Sequence, residues 1–100
     1  MEVKITNQSG KILAAVSGRI DTTTAEKFQQ DIAPLMQGDN PDIELDCSEL
    51  VYTSSQGLRL LLILQKSVMA RQGKLMLKGL QPMVKEVFDI TGFSNIFNIQ

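Results

Sequence analysis

Residues Asp46 to Leu64, DCSELVYTSSQGLRLLLIL, decide how the chain folds. They read as a strand ending in a carboxylate, then a hydroxyl-rich turn, then a nearly all-apolar helix. That order aims Ser55 at a helix N-terminus, where first-turn N–H groups lack partners and the macrodipole is positive. An anion carried on Ser55 is stabilised there, and phosphate fits best. A phosphoserine would add about −1.5 to −2 charges and three acceptor oxygens, enough to change what docks on the turn. These residues point to a switch. The same serine also suits a plainer role as N-cap, worth about 1 kcal/mol. Ser54 and Ser55 can divide the two roles, with Ser54 capping and Ser55 exposed in the first turn.

Upstream, Val3 and Ile5 alternate with polar neighbours, Asn7 to Gly10 has turn chemistry, and Lys11 to Ser17 resumes as a strand. These features predict an N-terminal antiparallel hairpin. Thr23-Thr24-Ala25-Glu26 has the S/T-x-x-E spacing of a capping box, and Ala25, Phe28, Ile32 and Leu35 follow at helical intervals, so a first helix starts near Thr23. Pro34 ends or kinks it close to Ala33. Gly38, Asn40 and Pro41 break the chain before Ile43, Leu45 and Cys47 alternate as the strand that enters the serine turn.

Downstream of the long helix, Leu75 to Leu77 form a short strand between Gly73 and Gly79. Pro82 opens a last helix that Gly92 ends. Ile96, Phe97 and Ile99 read as a terminal strand or a docked tail. The order β-β-α-β-α-β-α gives an α/β fold: a mixed β-sheet, an N-terminal antiparallel hairpin plus parallel strands, covered by helices on at least one face. Residues 1–100 read as one domain, with neither repeat nor linker.

Composition narrows the function. Apolar residues are 43% and charged residues 21% of the chain, and the net charge is −1, without the basic excess that nucleic acid attracts. The single cysteine, Cys47, forms no internal disulfide, and no secretion signal opens the chain, so a reducing cytoplasm is expected. The longest apolar run, Leu60 to Leu64, is far below the about twenty residues that membrane insertion needs. The chain has no histidine, so no Ser-His triad or histidine metal site can form, and one cysteine makes no zinc cluster. No G-x-x-x-x-G-K nucleotide loop occurs. A non-enzyme with no cofactor and no metal is expected, itself a substrate of enzymes.

Three separated motifs occur in order: GRIDTTTA at Gly18 to Ala25, DCSELVYTSSQGLRLLL at Asp46 to Leu62, and VFDITGFSNIFNI at Val87 to Ile99. Together they resemble the STAS domain, and more narrowly the stand-alone anti-sigma factor antagonists of bacteria. The resemblance spans essentially the full length. It implies partner switching. An anti-sigma factor that is also a GHKL-type serine kinase phosphorylates the serine before the small-residue-Gly-Leu step, a PP2C-type phosphatase reverses this, and the unmodified form captures the kinase. By resemblance that serine is Ser55, with Ser54 and Thr53 as alternative acceptors behind it. Ser54 stands where the family often has aspartate, and Gln56 where a second serine often follows. The alternative that the family allows is a non-catalytic STAS subunit of a transporter ATPase or of a stress-signalling scaffold.

The expected partner-binding set is Asp21, Ser54, Gln56, Gly57, Arg59, Leu60 and Ile63. Arg59 lies four residues beyond Ser55 on one helical stripe with Lys66, and it could reach a phosphate or a partner carboxylate; the plainer role of both is a solvated basic edge. Leu58, Leu61, Leu62, Val68 and Met69 are expected to face the core, which leaves Leu60 and Ile63 pointing away, toward a partner. Gly57 fits close packing near the turn. Asp21 and Asp46 each end a strand and, by the family's layout, lie on the edge that carries Ser55; their simpler role is capping of helix and turn. Cys47 reads as an unreactive core residue.

Overall fold

A computed structural model describes residues 1–100. β1 (Glu2–Gln8) and β2 (Lys11–Ile20) form the antiparallel hairpin around a two-residue turn. Ser9 and Gly10 both adopt positive φ, 51° and 85°, which matches the twist of the flanking strands.

α1 spans Ala25–Ile32 and tightens into a 3₁₀ turn over Ala33–Met36, where Pro34 cannot donate to the helical ladder. The helix begins two residues later than Thr23, and no capping box forms. Thr24 occupies the N-cap without a side-chain cap bond. A carboxylate outcompetes the hydroxyls. Asp21 Oδ1 accepts from the N–H groups of Thr23 (2.9 Å) and Thr24 (3.2 Å), and the Thr24 hydroxyl donates instead to the Arg19 carbonyl (2.7 Å).

β3 spans Asp42–Thr53, α2 Ser55–Ala70, β4 Lys74–Lys78 and α3 Pro82–Ile90; a 3₁₀ turn at Phe93–Asn95 then leads to β5, Asn98–Ile99. The sheet order is β1-β2-β3-β4-β5, antiparallel in the hairpin and parallel elsewhere. The C-terminal residues thus supply both a strand and a docked tail: Ile99 pairs with Leu77, and Phe97 is buried.

The strand before the serine turn does not stop at Asp46. It runs seven residues further, to Thr53. Two bulges explain the difference. Ala15 opposes Asp46 but Ser17 opposes Glu49, and Gly18 opposes Leu50 but Arg19 opposes Tyr52, so β3 spends one extra residue at each step. Inward positions therefore fall at Cys47, Leu50 and Thr53, three residues apart, and period-two alternation is lost. Asp46 lies mid-strand, where its Oδ1 accepts from the Ser48 N–H at 3.0 Å across the first bulge. It sits about 20 Å of strand away from Thr53 and does not share an edge with Ser55.

All three helices pack on one face of the sheet. Ala14, Val16, Ile43, Leu45, Cys47, Leu75 and Leu77 meet Phe28 and Ile32 of α1, Val84 and Phe88 of α3, and a stripe of α2. That stripe is Leu58, Leu61, Leu64 and Val68. Leu62 is half-buried and Met69 is 59% exposed, contrary to the expected stripe. With leucines at positions 58, 60, 61, 62 and 64, several stripes are possible, and the observed one keeps closest to the helical repeat. The Arg71 guanidinium at the end of α2 donates to the carbonyls of Leu35, Gln37 and Gly38 and ties down the loop after α1.

Candidate functional site

The ends of β2 and β3 meet where the Ser54 N–H donates to the Ile20 carbonyl at 2.7 Å. This bond brings the Asp21 turn beside the start of α2. Gly57 makes the approach close enough. A Cβ there would stand 2.2 Å from Thr53 Oγ1 and 2.8 Å from Ile20 Cγ2, so a larger residue would lift the helix off the strand ends. Gly57 is buried in that contact and seats the helix.

The three consecutive hydroxyls have separate environments. Thr53 is buried, and its Oγ1 donates to the Ser54 carbonyl at 3.2 Å. Ser54 is the N-cap: its backbone is extended, and its Oγ accepts from the Gly57 N–H at 3.4 Å. Ser55 is the first helical residue and is exposed, and its hydroxyl makes no hydrogen bond within the chain. The Leu58 N–H reaches the Ser54 carbonyl at 3.1 Å, while the Ser55 and Gln56 N–H groups keep no partner in the chain. No acidic residue stands in the first turn of α2 to offset the dipole.

Asp21 ends β2 as expected. The Thr23 hydroxyl (2.7 Å) and the Thr23 and Thr24 N–H groups bind its carboxyl and hold it below the usual carboxylate range. Arg19 lies 3.8 Å from its other oxygen and 4.5 Å over the Tyr52 ring. Asp21 is thus a structural cap already committed to its own turn.

A groove of about 460 Å³ runs between α1 and α2. Gln56, Arg59, Leu60 and Ile63 form one wall, and Thr22, Ala25, Glu26 and Gln29 the other. Four of the expected partner-binding residues therefore share one concave surface that starts beside Ser55 and follows α2 for about two turns. Leu60 is half-buried against the core and Ile63 is 46% exposed. Arg59 is exposed with no carboxylate in ion-pair range. The opposite wall was missed by sequence reasoning, although Glu26 and Gln29 lie at helical spacing on the polar side of Phe28 and Ile32, with Thr22 in the turn just before α1. Lys66 is exposed two turns beyond Arg59, outside the groove.

Cys47 is 1% exposed and burial pushes its thiol up to about 12, with Asp46 adding to the shift, which makes it a core residue. No cluster of three or more potential ligands is arranged for a metal ion. No helix is long and apolar enough to cross a membrane.

A family model described as the STAS domain matches residues 2–100. The chain belongs to the STAS-domain family. Among relatives of this STAS domain, BtrV of Bordetella bronchiseptica, assigned by name to the anti-sigma factor antagonists, is 33% identical over 99 residues, covering 99% of this chain and 85% of that protein. The anti-sigma-B factor antagonist of Listeria monocytogenes is also 33% identical, over 85 residues that cover 85% of this chain and 75% of its own length. These relatives place the STAS domain in the anti-sigma factor antagonist family, whose members are binding proteins without catalytic activity. The solved structure of the anti-sigma factor antagonist SpoIIAA in its unphosphorylated form superposes with a TM-score of 0.77 at 19% identity, over 99% of this chain and 88% of that one. The phosphorylated form of SpoIIAA from Bacillus superposes with a TM-score of 0.71 at 16% identity, over 99% and 91% of the two chains. At these identities the likeness establishes the fold.

Proposed function

We propose that this STAS domain is a partner switch controlled by phosphorylation of Ser55. Unmodified, the first turn of α2 and the groove beside it bind an anti-sigma factor that is also a GHKL-type serine kinase, in the cytoplasm. Transfer of phosphate to Ser55 ends the complex, and a PP2C-type phosphatase restores it. The observation that carries this reading is the division of labour among the hydroxyls. Of Thr53, Ser54 and Ser55, only Ser55 is exposed and unbonded.

The chemistry follows from the first turn. A kinase must reach a free hydroxyl, and a phosphate placed on Ser55 lies beside the free N–H groups of Ser55 and Gln56 at the positive end of α2. The domain therefore tolerates the modification without unfolding. The partner does not: a dianionic group enters a contact built for a neutral hydroxyl, and like-charge repulsion and desolvation oppose rebinding. Arg59, without an internal ion pair, offers a donor to a partner carboxylate while the complex lasts. Gln56, Leu60 and Ile63 supply the surrounding contact, with Ser54 and Gly57 holding its shape and Asp21 at its margin.

Incubation with the cognate kinase and ATP, followed by mass mapping, tests the reading. Phosphate is expected on Ser55, none on Ser55→Ala, and at least a tenfold loss of kinase binding in Ser55→Asp. Phosphate found only elsewhere, or undiminished binding by Ser55→Asp, rejects it.

A further inference from the structure

The two edges of the sheet are unequal. β5 is two residues long, whereas β1 presents seven, Glu2–Gln8, in a register against β2 that no bulge interrupts. Natural edges are blunted by shortness, bulges, proline, a covering element or charged side chains, and the two charges on β1, Glu2 and Lys4, are of opposite sign. β1 has no proline and no bulge, and no strand lies beyond it.

The hairpin fixes which groups are free. Gln8 and Lys11 close the two-residue turn as a hydrogen-bonded pair, so alternation directs the backbone of Thr6, Lys4 and Glu2 toward β2. Val3, Ile5 and Asn7 then present their N–H and C=O outward. Side chains alternate as well. Met1 and Val3 are half-buried on the helix side and Ile5 there is 38% exposed, while Glu2 and Lys4 lie exposed on the open face. Neither Glu2 nor Lys4 has an ion-pair partner within the chain.

We propose that the β1 edge is a self-association surface, on which a second copy adds its own β1 antiparallel about a twofold axis at Val3. In this register Val3 faces the partner's Val3 and Met1 faces the partner's Ile5, apolar against apolar. On the other face Glu2 opposes the partner's Lys4, and Lys4 opposes the partner's Glu2. The twofold doubles each of these contacts except that of Val3 with the partner's Val3, which lies on the axis. Neighbouring registers lose this match. An axis at Lys4 sets Lys4 against the partner's Lys4, and an axis at Ile5 sets Val3 against the partner's Asn7 and leaves both charges without a counterion. Directly opposed unlike charges stabilise a strand pair and like charges weaken it, so charge complementarity selects the axis.

Sedimentation velocity over a concentration series tests this. The native chain is expected to dimerise as concentration rises, less so in high salt, because the charges are exposed. Glu2→Lys and Lys4→Glu each create two like-charge oppositions and should raise the dimer Kd about tenfold or more. Thermal melts by circular dichroism, run well below the dimer Kd where association adds nothing to stability, should stay unchanged, since both side chains are exposed. The double variant Glu2→Lys/Lys4→Glu restores the native Kd. So does an equimolar mixture of the two single variants, in which one chain carries only positive and the other only negative charge at these positions. A chain that stays monomeric throughout, a dimer indifferent to the single changes, or a loss that neither the double variant nor the mixture reverses overturns the proposal.

Discussion

Thr53, Ser54 and Ser55 carry the same functional group in three successive positions, and their difference in role is set by backbone geometry alone. Thr53 is the last inward position of a strand, Ser54 has the extended backbone of an N-cap, and Ser55 is the first helical residue with its hydroxyl turned to solvent. Under the proposed switch, stability and signalling separate between adjacent serines. Ser54→Ala leaves the Gly57 N–H without its acceptor and is expected to cost about 1 kcal/mol. Ser55→Ala removes a hydroxyl with no internal partner and should change stability by less than about 0.5 kcal/mol. Urea unfolding followed by circular dichroism checks both. The reverse order, with Ser55 the costlier change, would make Ser55 the structural residue and leave Ser54 as the hydroxyl open to modification.

At the scale of elements, local signals were legible where a single residue type forces the backbone. Pro34 ends α1, Pro82 opens α3, Gly92 closes it at φ 80°, and Ser9-Gly10 turns the hairpin. The second half of β3 was not legible, because its bulges replace alternation by a three-residue spacing. The misplacement of Asp46 followed from that: a strand read as ending at Asp46 puts that carboxylate at the site, whereas β3 runs on to Thr53 before it reaches the site. β5 is too short for any pattern, and its place is held by tertiary contacts. Phe97 packs edge-on against Phe88 at 5.6 Å between centroids and lies 6.2 Å from Phe93. The Gln100 N–H donates to the Leu77 carbonyl at 2.8 Å. Phe97→Ala should therefore release the whole C-terminal segment at a cost of about 3 kcal/mol. Hydrogen exchange should show the loss first at Gln100, with β2 and β3 unaffected under native conditions.

The whole molecule assembles what no local pattern announces. Half of the groove comes from α1 and the turn before it, and Thr22, Glu26 and Gln29 acquire meaning only when the sheet sets that segment beside α2. The open face of the sheet is another such product, and it carries part of the acid sensitivity of the fold. Glu44 sits at its centre, 3.3 Å from Lys11 and 3.4 Å from Lys78. Burial pushes its carboxyl upward, but hydrogen bonds and charge from the two lysines outweigh this and hold it below the usual range. Asp46 is lowered by the Ser48 N–H, Asp21 by the Thr23 hydroxyl, and Asp89 by bonds from Ser94 and then Lys85. All four shifts have the same sign. A carboxylate whose folded pKa lies below its unfolded value stabilises the fold above the unfolded pKa, and that contribution fades as pH falls through the folded one. Urea midpoints should therefore hold level from about pH 7 to 5 and fall below about pH 4. Glu44→Gln should flatten part of that fall, because it removes a titrating group from between two lysines. A midpoint that rises on acidification, or an acid limb unchanged in Glu44→Gln, would show that the open face contributes nothing to the pH dependence of the domain.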